Sequence, residues 1–284
     1  MTAKPDEDKR GPVDAALSDW RQGDCWVAQD QWFVHRFALA TPLTNEAAAA
    51  ATEGADLAEV EVTGFVVLSQ TCDIVRSCAD RPYLEIAPLV RVDESPLREI
   101  ERGRRPRYAF IPALSGDRLV ADLDRVMTVE KGVLTGVERI PGCRNDNESR
   151  SFGQALARKR TRWAFPDDFT QLASGLQGRL QEKHDKQSDE GAALRALKQI
   201  RVRAAPSWDS GSIEVTFWFI RHEDEPDFRG TSWHKLLEKW LELVPEVGRY
   251  ESVEGAVVTL DDLTARDYVE SDPLDLDHLS SRSD

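Results

Sequence analysis

No run of about 18 apolar residues occurs in this chain of 284, and Met1 to Pro12 is charged and lacks an apolar stretch. The sequence therefore predicts neither a membrane-spanning helix nor a secretory leader, and the expected location is cytoplasmic. Cysteine is scarce. Cys25, Cys72, Cys78 and Cys143 show no Cys-x-x-Cys spacing and no adjacent histidine, which argues against a zinc knuckle and for reduced thiols; a Cys72–Cys78 pairing stays open. His184, His222, His234 and His278 are scattered, with none paired at metal spacing. Also missing are a Walker A loop, a Rossmann glycine fingerprint and a Gly-x-Ser-x-Gly elbow, so nucleotide hydrolysis and ordinary hydrolase chemistry lack their usual support. No cofactor and no metal are expected.

What is present begins with an apolar content of 40 %, enough to bury a core in one large domain or two modest ones. The net charge is −14, which disfavours a whole surface that grips nucleic acid and points to a protein partner. Local runs depart from that average. Arg150, Arg158, Lys159, Arg160 and Arg162 occur with no acid over 150–162, while 261–284 carries eight acids against Arg266 and Arg282. Two readings of the basic run are open: a phosphate-binding strip with Trp163 as a stacking aromatic, or a basic helix covering an acidic neighbour. On a helix Arg158 and Arg162 share a face, and Lys159 is turned away by about 100°. The acidic ending, whose Leu274, Leu276 and Leu279 alternate with acids, reads as a solvated tail or a short docking segment rather than a calcium loop.

Apolar runs at Cys25 to Val27, Trp32 to Leu39, Val60 to Leu68 and Tyr83 to Val90 are separated by polar or Gly/Pro-containing turns, the pattern of a small antiparallel sheet or barrel. Tyr108 to Pro112, Leu119 to Leu123 and Val126 to Val129 continue it, with a hairpin turn at Ser115-Gly116-Asp117. Glu46 to Glu59 reads as a loop or a short helix. After Cys143 the period becomes helical, through Phe152, Ala155, Leu156 and Lys159, then Phe169, Leu172, Leu176 and Leu180, then Ala192 to Ile200 after a charged break. Strands at Ile200 to Ala204 and Ile213 to Phe219, a helix capped by Thr231 or Ser232, and a strand at Ala256 to Leu260 complete a small α/β layer. The expected class is α+β. The boundaries are a disordered tail over 1–14, a β-rich barrel-like domain over 15–140, a helical segment over 145–200, a small α/β domain over 201–270 and an acidic tail over 271–284.

The feature with most chemistry is Gly64-Phe65-Val66-Val67-Leu68-Ser69-Gln70-Thr71-Cys72-Asp73-Ile74, a buried strand emptying into a polar turn. Cys72 beside Asp73 is a nucleophile candidate, with His35 on an early strand as its base and Ser69 and Gln70 as binding groups. The competing reading is a buried inert thiol in a turn whose polar side chains bind backbone.

Gly23-Asp24-Cys25-Trp26-Val27, Phe65-Val66-Val67-Leu68-Ser69 and Leu84-Glu85-Ile86-Ala87-Pro88-Leu89 occur in that order over about a quarter of the chain. In these three pieces the chain resembles the PemK/MazF-type toxins. The resemblance implies an SH3-like barrel and, in that family, endoribonuclease activity. The family's catalytic arginine precedes the middle strand, where Thr63-Gly64 stands here; its catalytic threonine follows Pro-Ile, where Val90 follows Pro88-Leu89. The scaffold carries over without the ribonuclease. The Ser-Gln-Thr-Cys-Asp-Ile turn, with the ending Ser271 to Ser280, also resembles a group of uncharacterised bacterial proteins. The expected function is a non-catalytic binding or adaptor protein of a toxin–antitoxin or phage-defence module; the alternative is an enzyme processing nucleic acid or nucleotides with the Ser69 to Asp73 turn and the basic helix.

Overall fold

Short-period apolar runs give the first 160 residues their sheet, and helices stand between and after its strands. The computed structural model describes residues 10–103, 105–161, 164–222 and 231–274, and the chain divides into two compact units, Met1–Thr161 and Arg162–Asp284. Both helices and strands are present, as an α+β class requires. No helix among the described residues is long and apolar enough to cross a membrane.

In the first unit, β1 (Cys25–Arg36), β2 (Leu57–Val67), β3 (Tyr83–Arg91), β4 (Tyr108–Phe110) and β5 (Leu119–Asp122) form an antiparallel sheet in the order β1-β2-β3-β5-β4. β6 (Met127–Glu130) also pairs with β3. The pairing jumps from Leu89–Ala121 to Ile86–Met127, so Asp122 to Val126 bulge between two strand segments laid along β3. Among the described residues the strand pairs do not close a barrel: β4 pairs with β5, and β1 with β2, apart from a single bridge from Cys25 to Ile140.

Two apolar clusters hold this unit. One joins Leu17, Trp20, Trp26, Phe65, Val67, Ile74, Leu84 and Ile86; the other joins Cys25, Val66, Ala87, Leu89, Ile111 and Ala121 with Phe152. Successive residues of β2 thus point to opposite clusters, which is why its last turns read as a continuous apolar run. Leu17 and Trp20 follow α1 (Arg10–Ala16), a helix that begins inside the stretch expected to be disordered; residues 1–9 lie outside those described. Between β1 and β2 the alanine-rich insert is α2 (Asn45–Thr52), its N-terminus capped by Thr44. The expected hairpin turn at Ser115-Gly116-Asp117 is a 3-10 turn over Pro112–Asp117, ended by Arg118 in the left-handed region.

The helices do not form a segment of their own. α5 (Asp146–Arg160), which follows α3 (Thr71–Ile74) and α4 (Glu94–Glu101), belongs to the first unit because Phe152, Ala155 and Leu156 pack into its second cluster. α6 (Asp167–Leu172), α7 (Ser174–His184) and α8 (Asp189–Ala196) belong to the second unit. There β7 (Leu197–Ala205), β8 (Ile213–Arg221), β9 (Tyr250–Val258) and β10 (Asp272–Leu274) form a sheet ordered β10-β7-β8-β9, with β8 and β9 parallel. α9 (Trp233–Leu241), capped by Ser232, makes the crossover between that parallel pair, and Leu236 and Trp240 bury its apolar stripe. The expected third helix over 192–200 is displaced: Ser188 caps α8 inside the charged break, and the chain is already in β7 by Leu197. α10 (Ala265–Val269) precedes β10, so the ending expected as a tail over 271–284 supplies an edge strand, with residues 275–284 outside those described.

Candidate functional site

At the end of β2 the chain must leave the sheet, and its polar side chains bind the backbone there. Glu85 N–H donates to Ser69 Oγ at 2.8 Å, Gln22 N–H to Thr71 Oγ1 at 3.1 Å, and Gln22 Nε2 to the Leu68 carbonyl at 2.7 Å. α3 is then a single turn whose Ile74 is fully buried. Below it lies Lys131, 1 % exposed, whose ammonium donates to the carbonyls of Asp73 (2.9 Å) and Arg76. Burial pushes its pKa down from the usual lysine value, opposed by the charges of Asp14, Cys78 and Asp73. Asp14 Oδ1 in turn accepts from Cys78 N–H at 2.8 Å. The turn is a latch joining the segment before β1, the end of β2 and the turn after β6.

Lys131 escaped sequence reading because the carbonyls it serves lie more than fifty residues earlier, and a lysine after a strand carries no one-dimensional mark. Lys131→Met keeps the aliphatic stem but leaves two inward-facing carbonyls without a donor. We expect it to lower the stability of the first unit by about 2–3 kcal/mol, read as a reduced urea midpoint. An unchanged midpoint would show that water replaces the ammonium.

Gln70 and Cys72 are the groups the turn presents to solvent, with Cys72 Sγ 3.6 Å from Gln70 Oε1. Asp73 is half-buried, and the structure does not bring His35 to it. His35 stands on β1 opposite Ala58 at the start of β2, stacked on Phe33 at 5.6 Å, and about 30 Å of strand separates that pair from the turn. Its buried Nδ1 has no hydrogen-bond partner among the described residues. The expected Cys72–His35 nucleophile and base therefore do not converge.

The basic run is distributed along α5. Lys159 binds Asp124, Arg160 binds Glu85, and Arg158 lies against the Gly103 backbone, as a basic helix over acidic neighbours requires. Arg150 is exposed on the same helix, and Arg162 and Trp163 lie outside the described residues. Within that run Arg160 is tied to the turn, through the Glu85 whose N–H Ser69 holds.

The Gly-Asp pair of the resemblance is a joint. Gly23 has φ +90° and packs on Cys143 and Phe152; Asp24, 3 % exposed, accepts from Arg21 N–H at 2.8 Å and Arg139 Nη1 at 2.9 Å. Burial raises the Asp24 carboxyl pKa against those donors, and burial pushes the neighbouring Cys25 thiol to about 12. Neither group is exposed for chemistry.

The chain matches no family model, no curated protein and no solved structure.

Among the described residues no three His, Cys, Asp or Glu side chains stand close enough to hold a metal ion. In the second unit a hollow of about 510 Å³ is lined by Lys183, Lys186, Ser188, Glu190, Thr231 and Lys239. Lys183 pairs with Glu182 and Lys239 with Glu190, so the hollow holds largely compensated charge. A further cluster, absent from sequence reading, surrounds Asp122 in the β5–β6 bulge. Its fully buried carboxylate accepts from Arg107 Nη2 at 3.1 Å and Arg125 Nε at 2.8 Å. Burial opposes ionisation of Asp122, but the two guanidinium groups outweigh it and lower the pKa.

Proposed function

We propose that this chain is a non-catalytic binding or adaptor protein of the cytoplasm, built on an open variant of the SH3-like scaffold and serving a toxin–antitoxin or phage-defence module. The observation that carries the reading is the commitment of the Ser69 and Thr71 hydroxyls and the Lys131 ammonium to backbone groups. That leaves Cys72 exposed with an amide, not a base, against its sulfur. A nucleophilic thiol needs a base or cation to form thiolate.

Docking is supported by the outer face of the β1–β2 ribbon. Trp32 is 45 % exposed with the exposed Val34 next on the same face and Leu57 beyond it opposite Arg36, and across the ladder Trp32 faces Glu61 while Val34 faces Glu59. An apolar centre between acids suits a protein partner that offers apolar side chains flanked by lysine or arginine. β1 is also an edge strand, open to pairing. Affinity purification read by mass spectrometry tests this: the intact chain and Cys72→Ala recover the same stoichiometric partner, whereas Trp32→Ala loses most of it. Recovery that ignores Trp32, or no stoichiometric partner at all, sinks the proposal.

A second reading, an enzyme processing nucleic acid or nucleotides, is favoured by the Ser69–Glu85–Arg160 connection, which sets a helix cation beside the turn. It requires that Cys72→Ala or Asp73→Ala abolish an activity while the fold survives.

A further inference from the structure

Between α4 and β4 the described residues Arg102, Gly103, Arg105, Pro106 and Arg107 meet the last turn of α5 at two points. A methyl placed on Gly103 would lie 3.3 Å from Arg158 Nη1, and Asp124 bridges Arg107 Nε at 3.4 Å and Lys159 Nζ. Arg125 stands beside Arg107 on the Asp122 carboxylate. Arg102, Arg105, Arg107, Arg125, Arg158 and Lys159 are thereby gathered on one continuous surface of the first unit. The acids beside them among the described residues are Glu99, Glu101, Asp122 and Asp124, so these ten side chains carry an excess of two positive charges in a protein of net charge −14.

The excess is placed outward. Asp122 is fully buried and serves to orient Arg107 and Arg125, and Arg107 is further held over the Tyr108 ring at 5.1 Å. Arg105 is exposed and makes no ion pair among the described residues; Arg102, with 58 % of its side chain exposed, reaches Glu99 only at 4.0 Å. Five of the six cations are arginines. Their planar forks bind phosphate oxygens in pairs, and Arg107 and Arg125, set on the buried Asp122, lose little freedom when their remaining N–H groups do so.

We infer that this face binds the phosphate backbone of nucleic acid. Its arginine forks address phosphate oxygens and not base edges, so it reads no sequence. The overall negative charge confines a polyanion to this one surface. The inference goes beyond the adaptor reading and does not depend on it, nor on Cys72.

Fluorescence anisotropy with a short labelled DNA duplex tests it on the full chain. About four phosphate contacts predict an affinity that falls roughly a hundredfold between about 50 and about 200 mM salt. Arg102→Glu with Arg105→Glu, both at exposed positions, weakens binding at least about tenfold and reduces the salt slope by about two, without a change in thermal unfolding. Lys198→Glu with Lys235→Glu, the same charge change at exposed positions of the second unit, leaves binding within about twofold. Absence of duplex binding by the intact chain would overturn the inference. So would equal weakening by the two double variants, which reduces the effect to net charge, or displacement of the duplex by poly-glutamate at equal charge, which assigns the face to an acidic protein.

Discussion

Gly64→Ala is expected to destabilise the first unit by about 4 kcal/mol, a large part of the roughly 5–15 kcal/mol that holds a domain folded. Gly64 lies in β2 opposite Val27, beside the bulge where the β1–β2 register shifts between Val27 and Gln31. Its φ is +156°, and an added Cβ would sit 2.1 Å from the Trp26 carbonyl oxygen and 2.9 Å from Val27 Cα. Both obstacles are backbone of the paired strand, so no side chain can move aside. Backbone strain of about 1–3 kcal/mol and overpacking of similar size then add. Gly54→Ala is the control: φ is +79° but nothing lies within 4 Å, so only the conformational cost of about 1 kcal/mol remains. Urea titrations followed by tryptophan fluorescence separate the two, and equal midpoints would refute the close approach at Gly64.

No side chain fits at Gly64 while Trp26 and Val27 stay paired there. The kink that Gly64 permits also sends the end of β2 towards Gln22 and Glu85, the residues that bind the Ser69 turn. The register shift and the placement of the turn thus meet at one residue.

Strands were legible where apolar residues recur with short period and where turn residues bound them, hence β1 to β8. β9 was harder to read because Glu251 and Glu254 interrupt its apolar pattern. α8 carried a usable signal, Ser188 followed by acids in the first turn, but the charge of Asp185 to Glu190 made the segment read as a break. The assignment of α5 to the first unit depends on Phe152 meeting Leu89 and Ile111 in one cluster, a long-range fact absent from local periodicity. At the candidate site, the turn itself was evident, but its supports were not. Lys131, Gln22 and Asp14 reach it from distant parts of the chain, and the Arg102 to Arg107 loop gains meaning only when Arg158 and Lys159 lie beside it.

The second unit contains a charge centre whose loss should be as costly as that of Gly64. Glu190, in the first turn of α8, is buried, and its carboxylate accepts from Arg179 Nε (3.0 Å) and Nη2 (2.7 Å), Lys239 Nζ (2.8 Å) and Trp240 Nε1 (3.2 Å). It thereby ties α7, α8 and α9 together. Glu190→Gln leaves Arg179 and Lys239 facing each other without an anion, at a cost of about 3–5 kcal/mol. Burial by itself would raise the Glu190 pKa, but the donors from Arg179, Lys239 and Trp240 outweigh it and bring it from 4.5 to about 2. A carboxyl depressed by folding adds stability above its unfolded pKa and loses it as pH falls through the folded value. The contribution of about 3 kcal/mol is therefore complete above about pH 4.5 and fades towards pH 2. Asp168, also held at about 2 by Arg249, titrates in both proteins, so the difference between wild type and Glu190→Gln isolates Glu190. Unfolding free energies should differ most at neutral pH and converge in acid. A gap that persists undiminished near pH 2 would mean that packing of the carboxyamide, not the lost charge, sets the cost.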